Sequence, residues 1–141
     1  MSIWYRPVTP FDLQQRSKDT MHEHLGIKFT DVGENFLSAT MPVDHRTVQP
    51  MGLLHGGASL ALAETLGSIA ANYVVNPATH YCVGLDINGN HLRAVRNGTV
   101  TGTASPLHLG STTQVWSIEI RDEEGRLVCI SRLTMAVLSR K

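Results

Sequence analysis

The stretch Gln49–Tyr73, QPMGLLHGGASLALAETLGSIAANY, decides how the rest of the chain is read. From Gly56 onward it is apolar and small apart from one carboxylate, Glu64, and Pro77 lies just beyond it. It predicts a helix over Gly56–Val75. Ala58, Ala61, Ala63, Gly67, Ala70 and Ala71 keep that helix thin, so that a strand or a second helix can approach closely. A carboxylate in such surroundings is costly to ionise unless it is paired, hydrogen-bonded or used in chemistry. Glu64 is therefore a candidate functional acid, the alternative being a place on the one exposed stripe of the helix. Ser68 lies one turn further on the same face, where its hydroxyl either orients Glu64 or a water, or simply fills a small packing position.

His55-Gly56-Gly57 stands where the helix begins. The first N–H groups of a helix have no intrahelical partner, and the macrodipole gives that end positive character. Glycine allows a ligand oxygen close to the backbone, so an amide there suits an oxyanion developing on a carbonyl. The alternative is relief of crowding where a loop meets a helix. Gln49, before Pro50, is either a polar positioning group or an ordinary loop residue.

Spacing sets how these features cooperate. Glu64 lies eight residues beyond Gly56, which at the rise of an α-helix is about 12 Å along the axis. One helix cannot bring both to one carbonyl. If both serve one reaction, a second copy of the chain supplies one of them, most simply through two helices packed antiparallel about a two-fold axis.

The flanking sequence supplies what the helix packs on. Thr9 as N-cap and Pro10 at the first helical position predict a short helix over Pro10–Lys18. Next, His22, Glu23 and His24 lack the spacing that puts two histidines on one helix face, so no metal site is expected. Lys28–Val43 reads as a hairpin around Gly33, with Leu37, Ala39, Met41 and Val43 on its buried face. After the helix four strand-like segments follow. In the first, Tyr81, Val83, Leu85 and Ile87 share a face; Asn97-Gly98 signals a tight turn before the second. Trp116, Ile118 and Ile120 point together in the third, as do Leu127, Cys129, Leu133, Met135 and Val137 in the last. Hairpin, long helix, then a four-strand meander make an α+β fold, an antiparallel sheet covering one central helix.

The whole chain, 1–141, fits one domain. Twelve basic and twelve acidic residues balance to zero net charge and are scattered, which argues against nucleic acid or an anionic membrane as partner. No signal-peptide pattern and no membrane-length apolar run is visible, so a cytoplasmic protein is expected. Cys82 and Cys129 are the only cysteines and are expected as free thiols rather than a disulfide or a metal site.

Taken together, MPVDHRTVQP (Met41–Pro50), GLLHGGASLALAETLGS (Gly52–Ser68), VGLDINGNHLR (Val83–Arg93) and LHLGSTTQVWSIEI with CISRLTMAV resemble the hotdog-fold acyl-CoA thioesterases. The likeness spans nearly the full chain. It is nearest to the bacterial branch that hydrolyses aroyl-CoA thioesters, whose groups include those cleaving 1,4-dihydroxy-2-naphthoyl-CoA and the siderophore-pathway proofreading enzymes. The resemblance implies a sheet wrapped round the long helix, and a homotetramer built as a dimer of dimers with active sites shared between subunits. It implies Glu64 as catalytic acid, the Gly56 amide as the group polarising the carbonyl, Gln49 and His55 as polar groups around it, and Ser68 as the hydroxyl beyond the acid. His91, Arg93, Ser111 and Thr112 correspond to positions that meet coenzyme A. Met51 stands near the expected acyl pocket, where relatives often carry phenylalanine, and Gly89 where they usually carry alanine, so the acyl preference stays open between aromatic and medium-chain groups. No cofactor is implied. The alternatives are a hotdog dehydratase, whose histidine and acid stand in a different arrangement from His55 and Glu64, a non-catalytic acyl-CoA-binding module, and a thioesterase acting on acyl groups held by a carrier protein.

Overall fold

The computed structural model describes residues 1–141. The chain forms α1 (Pro10–Arg16), α2 (Met21–His24), β1 (Lys28–Val32), β2 (Leu37–Pro42), α3 (Gly56–Val74), β3 (His80–His91), β4 (Thr99–Leu109), β5 (Thr113–Arg121) and β6 (Leu127–Ser139). The six strands make one sheet in the order β1-β2-β4-β5-β6-β3, antiparallel throughout. It curves round α3 as expected of the α+β hotdog architecture. No helix is long and apolar enough to cross a membrane.

Helix α3 forms because helix-favouring Ala and Leu dominate it and because His55 caps its start, the ring Nδ1 accepting from Gly57 N–H at 2.7 Å. It ends at Val75, which is extended, two residues before Pro77. Ser59, Leu62, Ala63, Leu66, Gly67, Ala70 and Ala71 are buried at intervals of three and four, a stripe laid against the sheet. Gly67 makes the approach possible: a Cβ there would stand 2.5 Å from Leu133 Cδ2. Opposite, Trp116, Ile118, Ile120, Leu133 and Met135 are all essentially inaccessible to solvent, as their alternation predicts. Trp116 Nε1 donates to Gln114 Oε1 at 2.9 Å, which satisfies both groups in the core.

Three expectations need correction. The last four strands are not one meander, because β3 pairs with β6 at the far edge of the sheet and only β4-β5-β6 follow in order. Asn97-Gly98 therefore turns a crossing segment into β4 rather than closing a β3–β4 hairpin; Gly98 takes φ +80 and its carbonyl accepts from Val43 N–H at 2.8 Å. Within β3, a bulge at Leu85 breaks the alternation: Gly84 faces Met135 and Asp86 faces Thr134 across β6, so Val83 and Ile87 lie on opposite faces. Leu85 is left 65% exposed on the free edge. Finally, α1 stops at Arg16, with Ser17 as its C-cap, although Thr9 and Pro10 begin it as predicted.

Both cysteines are buried free thiols. Burial pushes the Cys82 thiol up to about 11.

Candidate active site

Glu64 does not lie within the packed stripe of α3. It is exposed, on the flank of α3 beside the β3 edge, so the alternative of an exposed stripe describes the single chain. Its carboxylate reaches over the free edge strand, with Oε1 3.1 Å from where a Cβ on Gly84 would stand, so the missing side chain at Gly84 leaves room for it. Around it opens a cleft of about 440 Å³ lined by Gly57, Leu60, Ala61, Thr65, Ser68 and Ile69 from the helix and by Met21 and His22 from α2. Ser68 shares that cleft but does not hydrogen-bond to Glu64; its hydroxyl points to Met135 Sδ at 3.8 Å.

A second cleft of about 420 Å³ lies at the helix start. It gathers Gln49, Gly56, His91 and Arg93 with Leu53, Leu54, Ser59 and Val128. The local backbone leaves one donor free there. The His55 ring takes Gly57 N–H, and the His55 carbonyl takes Ala58 and Ser59 N–H at 3.0 and 3.1 Å, which leaves Gly56 N–H without a partner in the chain. The loop before it is held by its own hydrogen bonds. Thr47 is buried and its hydroxyl donates to the Pro42 carbonyl at 2.7 Å; Gln49 N–H donates to Leu53 O; and Gln49 Oε1 accepts from Met51 N–H. Gln49 thus keeps its amide NH₂ for the cleft. Asp44 receives the Arg46 guanidinium at 2.6 Å, and that hydrogen bond, first among its causes, holds the Asp44 carboxyl down at about 2.

The predicted site residues therefore divide. Glu64 and Ser68 line one cleft, and Gln49, Gly56, His91 and Arg93 the other. His55 acts as the helix cap between them. Ser111 and Thr112 stand exposed at the β4–β5 turn and line neither, and Met51 is 75% exposed on the loop, outside both. Sequence reasoning missed Met21, His22 and Gly84, which face Glu64 from other elements. The helical companions of Glu64 were legible from i, i+3 and i+4 spacing, whereas nothing local tied α2 or β3 to the acid.

The fold has known counterparts. The thioesterase superfamily model matches residues 51–129. The 1,4-dihydroxy-2-naphthoyl-CoA hydrolase of Escherichia coli is 53% identical, over 96% of this chain and 99% of its own. The proofreading thioesterase EntH of Cronobacter sakazakii is 54% identical over 96% and 98%. Among solved structures, a thioesterase of Haemophilus influenzae superimposes with a TM-score of 0.94 at 50% identity, covering 97% of this chain and 95% of that one. Agreement of sequence, length and fold on this scale leaves one reading: the chain belongs to the thioesterase superfamily and is a hotdog-fold thioester hydrolase.

Proposed function

We propose that the chain hydrolyses acyl-CoA thioesters with aromatic acyl groups, at sites formed by the Gly56 cleft of one protomer and the Glu64 cleft of another. The observation that carries this reading is the division just described: the unpartnered Gly56 N–H and the Glu64 carboxylate open into different cavities, about 12 Å apart along one helix. The free edge of β3 beside Glu64, with Val83 and Leu85 exposed, supports a second chain docking there by strand pairing. Such a two-fold contact runs the two α3 helices antiparallel and brings each Glu64 to the other chain's Gly56.

In that arrangement Gly56 N–H donates to the thioester carbonyl oxygen and stabilises the oxyanion of the tetrahedral intermediate. Glu64 of the other chain either takes a proton from the attacking water or attacks the carbonyl carbon itself to give an anhydride that water then opens. Each route breaks the C–S bond, expels the coenzyme A thiolate and yields the free acid. Gln49, through its free amide NH₂, and His55 hold the polar side of the carbonyl. His91 and Arg93, beside the Gly56 cleft, suit the phosphates and pantetheine of coenzyme A, with Ser111 and Thr112 further out.

The aromatic preference rests on the likeness to the naphthoyl-CoA hydrolase and on the apolar wall of Leu60, Ala61 and Ile69 next to Glu64. The test is release of free thiol from benzoyl-CoA and from a medium-chain acyl-CoA. The wild-type chain is expected to favour the aromatic thioester, and Glu64→Ala to lose turnover by several orders of magnitude with its oligomer intact. A fully active Glu64→Ala enzyme rules the assignment out.

A further inference from the structure

A second cavity of about 240 Å³ adjoins the cleft beside Glu64, the two sharing His22, Ser68 and Ile69, and the second reaching Arg6, Arg16 and Tyr73. Tyr73 lies five residues beyond Ser68, so the far end is about 7.5 Å further along the helix. His22 stands at the junction, half-buried, with Phe29 against its ring edge and Ser17 Oγ 3.5 Å from Nδ1. Burial lowers its pKa, which favours a neutral imidazole there.

The far end is cationic. Arg6 Cζ lies 4.3 Å above the Tyr73 ring centroid and Arg16 Cζ 6.0 Å from it. Neither guanidinium has an acidic partner; the arginines paired with carboxylates are Arg46, Arg121 and Arg126. Arg6 Nε is moreover the one buried side-chain nitrogen or oxygen in the chain without a hydrogen-bond partner. Leaving a buried charged donor unmade is unfavourable, and a native structure rarely does so without a reason. The position of Arg6 is built rather than incidental. Tyr5 N–H donates to the Tyr73 carbonyl at 2.9 Å, Ile3 N–H to the Glu34 carbonyl at 2.9 Å, and Trp4 Nε1 to the Gly33 carbonyl at 2.7 Å, so the segment carrying Arg6 is latched on both sides.

A half-buried Arg6 and an exposed Arg16, neither paired with a carboxylate, border a cavity adjoining the Glu64 cleft and suit an acceptor on the substrate. Resting on the acyl-CoA reading above, we propose that Arg6 and Arg16 form a distal specificity subsite that receives a carboxylate or phenolic oxygen at the far end of the acyl group. The ring of that acyl group lies along Ile69 and His22, and its distal oxygen accepts from the terminal NH₂ groups of the Arg6 and Arg16 guanidiniums, Arg6 Nε itself being closed off beneath them. Coenzyme A, entering from the Gly56 side, stays clear of this end. The two arginines take no part in the chemical step; they position the acyl group.

The test compares kcat/KM for 4-methylbenzoyl-CoA, 4-hydroxybenzoyl-CoA and 4-carboxybenzoyl-CoA, which differ only at the far end. The wild-type enzyme is expected to favour the carboxylated over the methylated thioester. Arg6→Met and Arg16→Met, made separately, are each expected to lower that ratio on the order of 10- to 100-fold, through KM for the carboxylated substrate. Arg6→Lys should recover part of it. The ratio cancels any general damage to fold or chemistry, so a variant that depresses all three substrates alike marks Arg6 as a purely structural clamp on Tyr73 and overturns the subsite. A wild-type enzyme that turns over all three at equal rates overturns it as well and leaves the thioesterase reading standing. The hydroxylated arm separates a need for charge from a need for an acceptor: a preference for 4-hydroxybenzoyl-CoA retained by Arg6→Lys supports the subsite as an acceptor site. Failure to release thiol from any of the three refutes the acyl-CoA reading together with the subsite.

Discussion

If each active centre takes Gly56 from one chain and Glu64 from another, two inactive variants should repair each other. Glu64→Ala removes the acid but leaves its own Gln49, Gly56 and free amide intact. Gln49→Ala removes a polar group from the other cleft, with an expected loss on the order of 10²-fold, but keeps Glu64. Unfolded together in equal amounts and refolded, the chains pair at random, so about half of the dimers are mixed. A mixed dimer has one centre with both lesions and one with neither. Activity should therefore rise to about one quarter of the wild-type value, far above either variant alone. The figure follows from the structure, because the helix holds the two groups about 12 Å apart in separate cavities and neither side chain can span that distance. The assay is thiol release from benzoyl-CoA before and after mixing, with each variant refolded alone as control. If the mixture shows no more than the average of the two separate variants, each chain carries a complete centre and the division argued from the clefts is wrong.

Three further outcomes check other parts of the structure. Gly67→Val drives a side chain into Leu133, itself without solvent access; overpacking of this kind costs about 1–3 kcal/mol, and a thermal melt should fall by about 3–10 °C. Gly84→Val leaves that melt nearly unchanged, since Gly84 is exposed, but crowds Glu64 Oε1, so kcat/KM should drop on the order of tenfold or more. The Cys82 thiol, raised to about 11 by burial, keeps its proton in the folded chain where an unfolded thiol has lost it. Stability is thus fully present below the unfolded pKa and declines as pH rises from there towards about 11, and a thiol reagent at pH 8 should label Cys82 only after denaturant is added.

The parts of the fold legible in the sequence were those fixed by local period. Leu62, Leu66 and Ala70 share a helix stripe, and Trp116, Ile118 and Ile120 share a strand face, because 3.6- and 2-residue repeats project directly onto burial. The place of β3 was not legible. Its own alternation is indifferent to whether it pairs with β4 or β6, and the turn at Asn97-Gly98 works equally well inside a crossing segment. The bulge at Leu85 was hidden for a related reason: one extra residue inverts the faces without changing composition, and VGLDI still reads as a regular strand. For the site, Glu64, Gly56 and their spacing were visible, whereas the cavity partners His22, Gly84 and Arg6 come from elements whose contact with α3 only the folded chain sets.

Helix α3 also explains why its exposed face was hard to tell from its buried one. Ala58, Ala61 and Ile69 lie outside the sheet-facing stripe and are interleaved with Glu64, Thr65 and Ser68, so the outer side is mixed rather than polar. A helix that served only its own sheet would have no need of that second apolar face, and the free edge of β3 beside it, with Leu85 65% exposed, would be a liability for aggregation. On the proposed two-chain reading one partner resolves both: a second chain laid against α3 and β3 would cover the apolar face, close the strand edge and withdraw Glu64 from bulk water. In that arrangement the carboxylate would enter a low-dielectric centre only when the donor that stabilises the oxyanion arrives with it, and assembly of the oligomer and of the catalytic site would be one event.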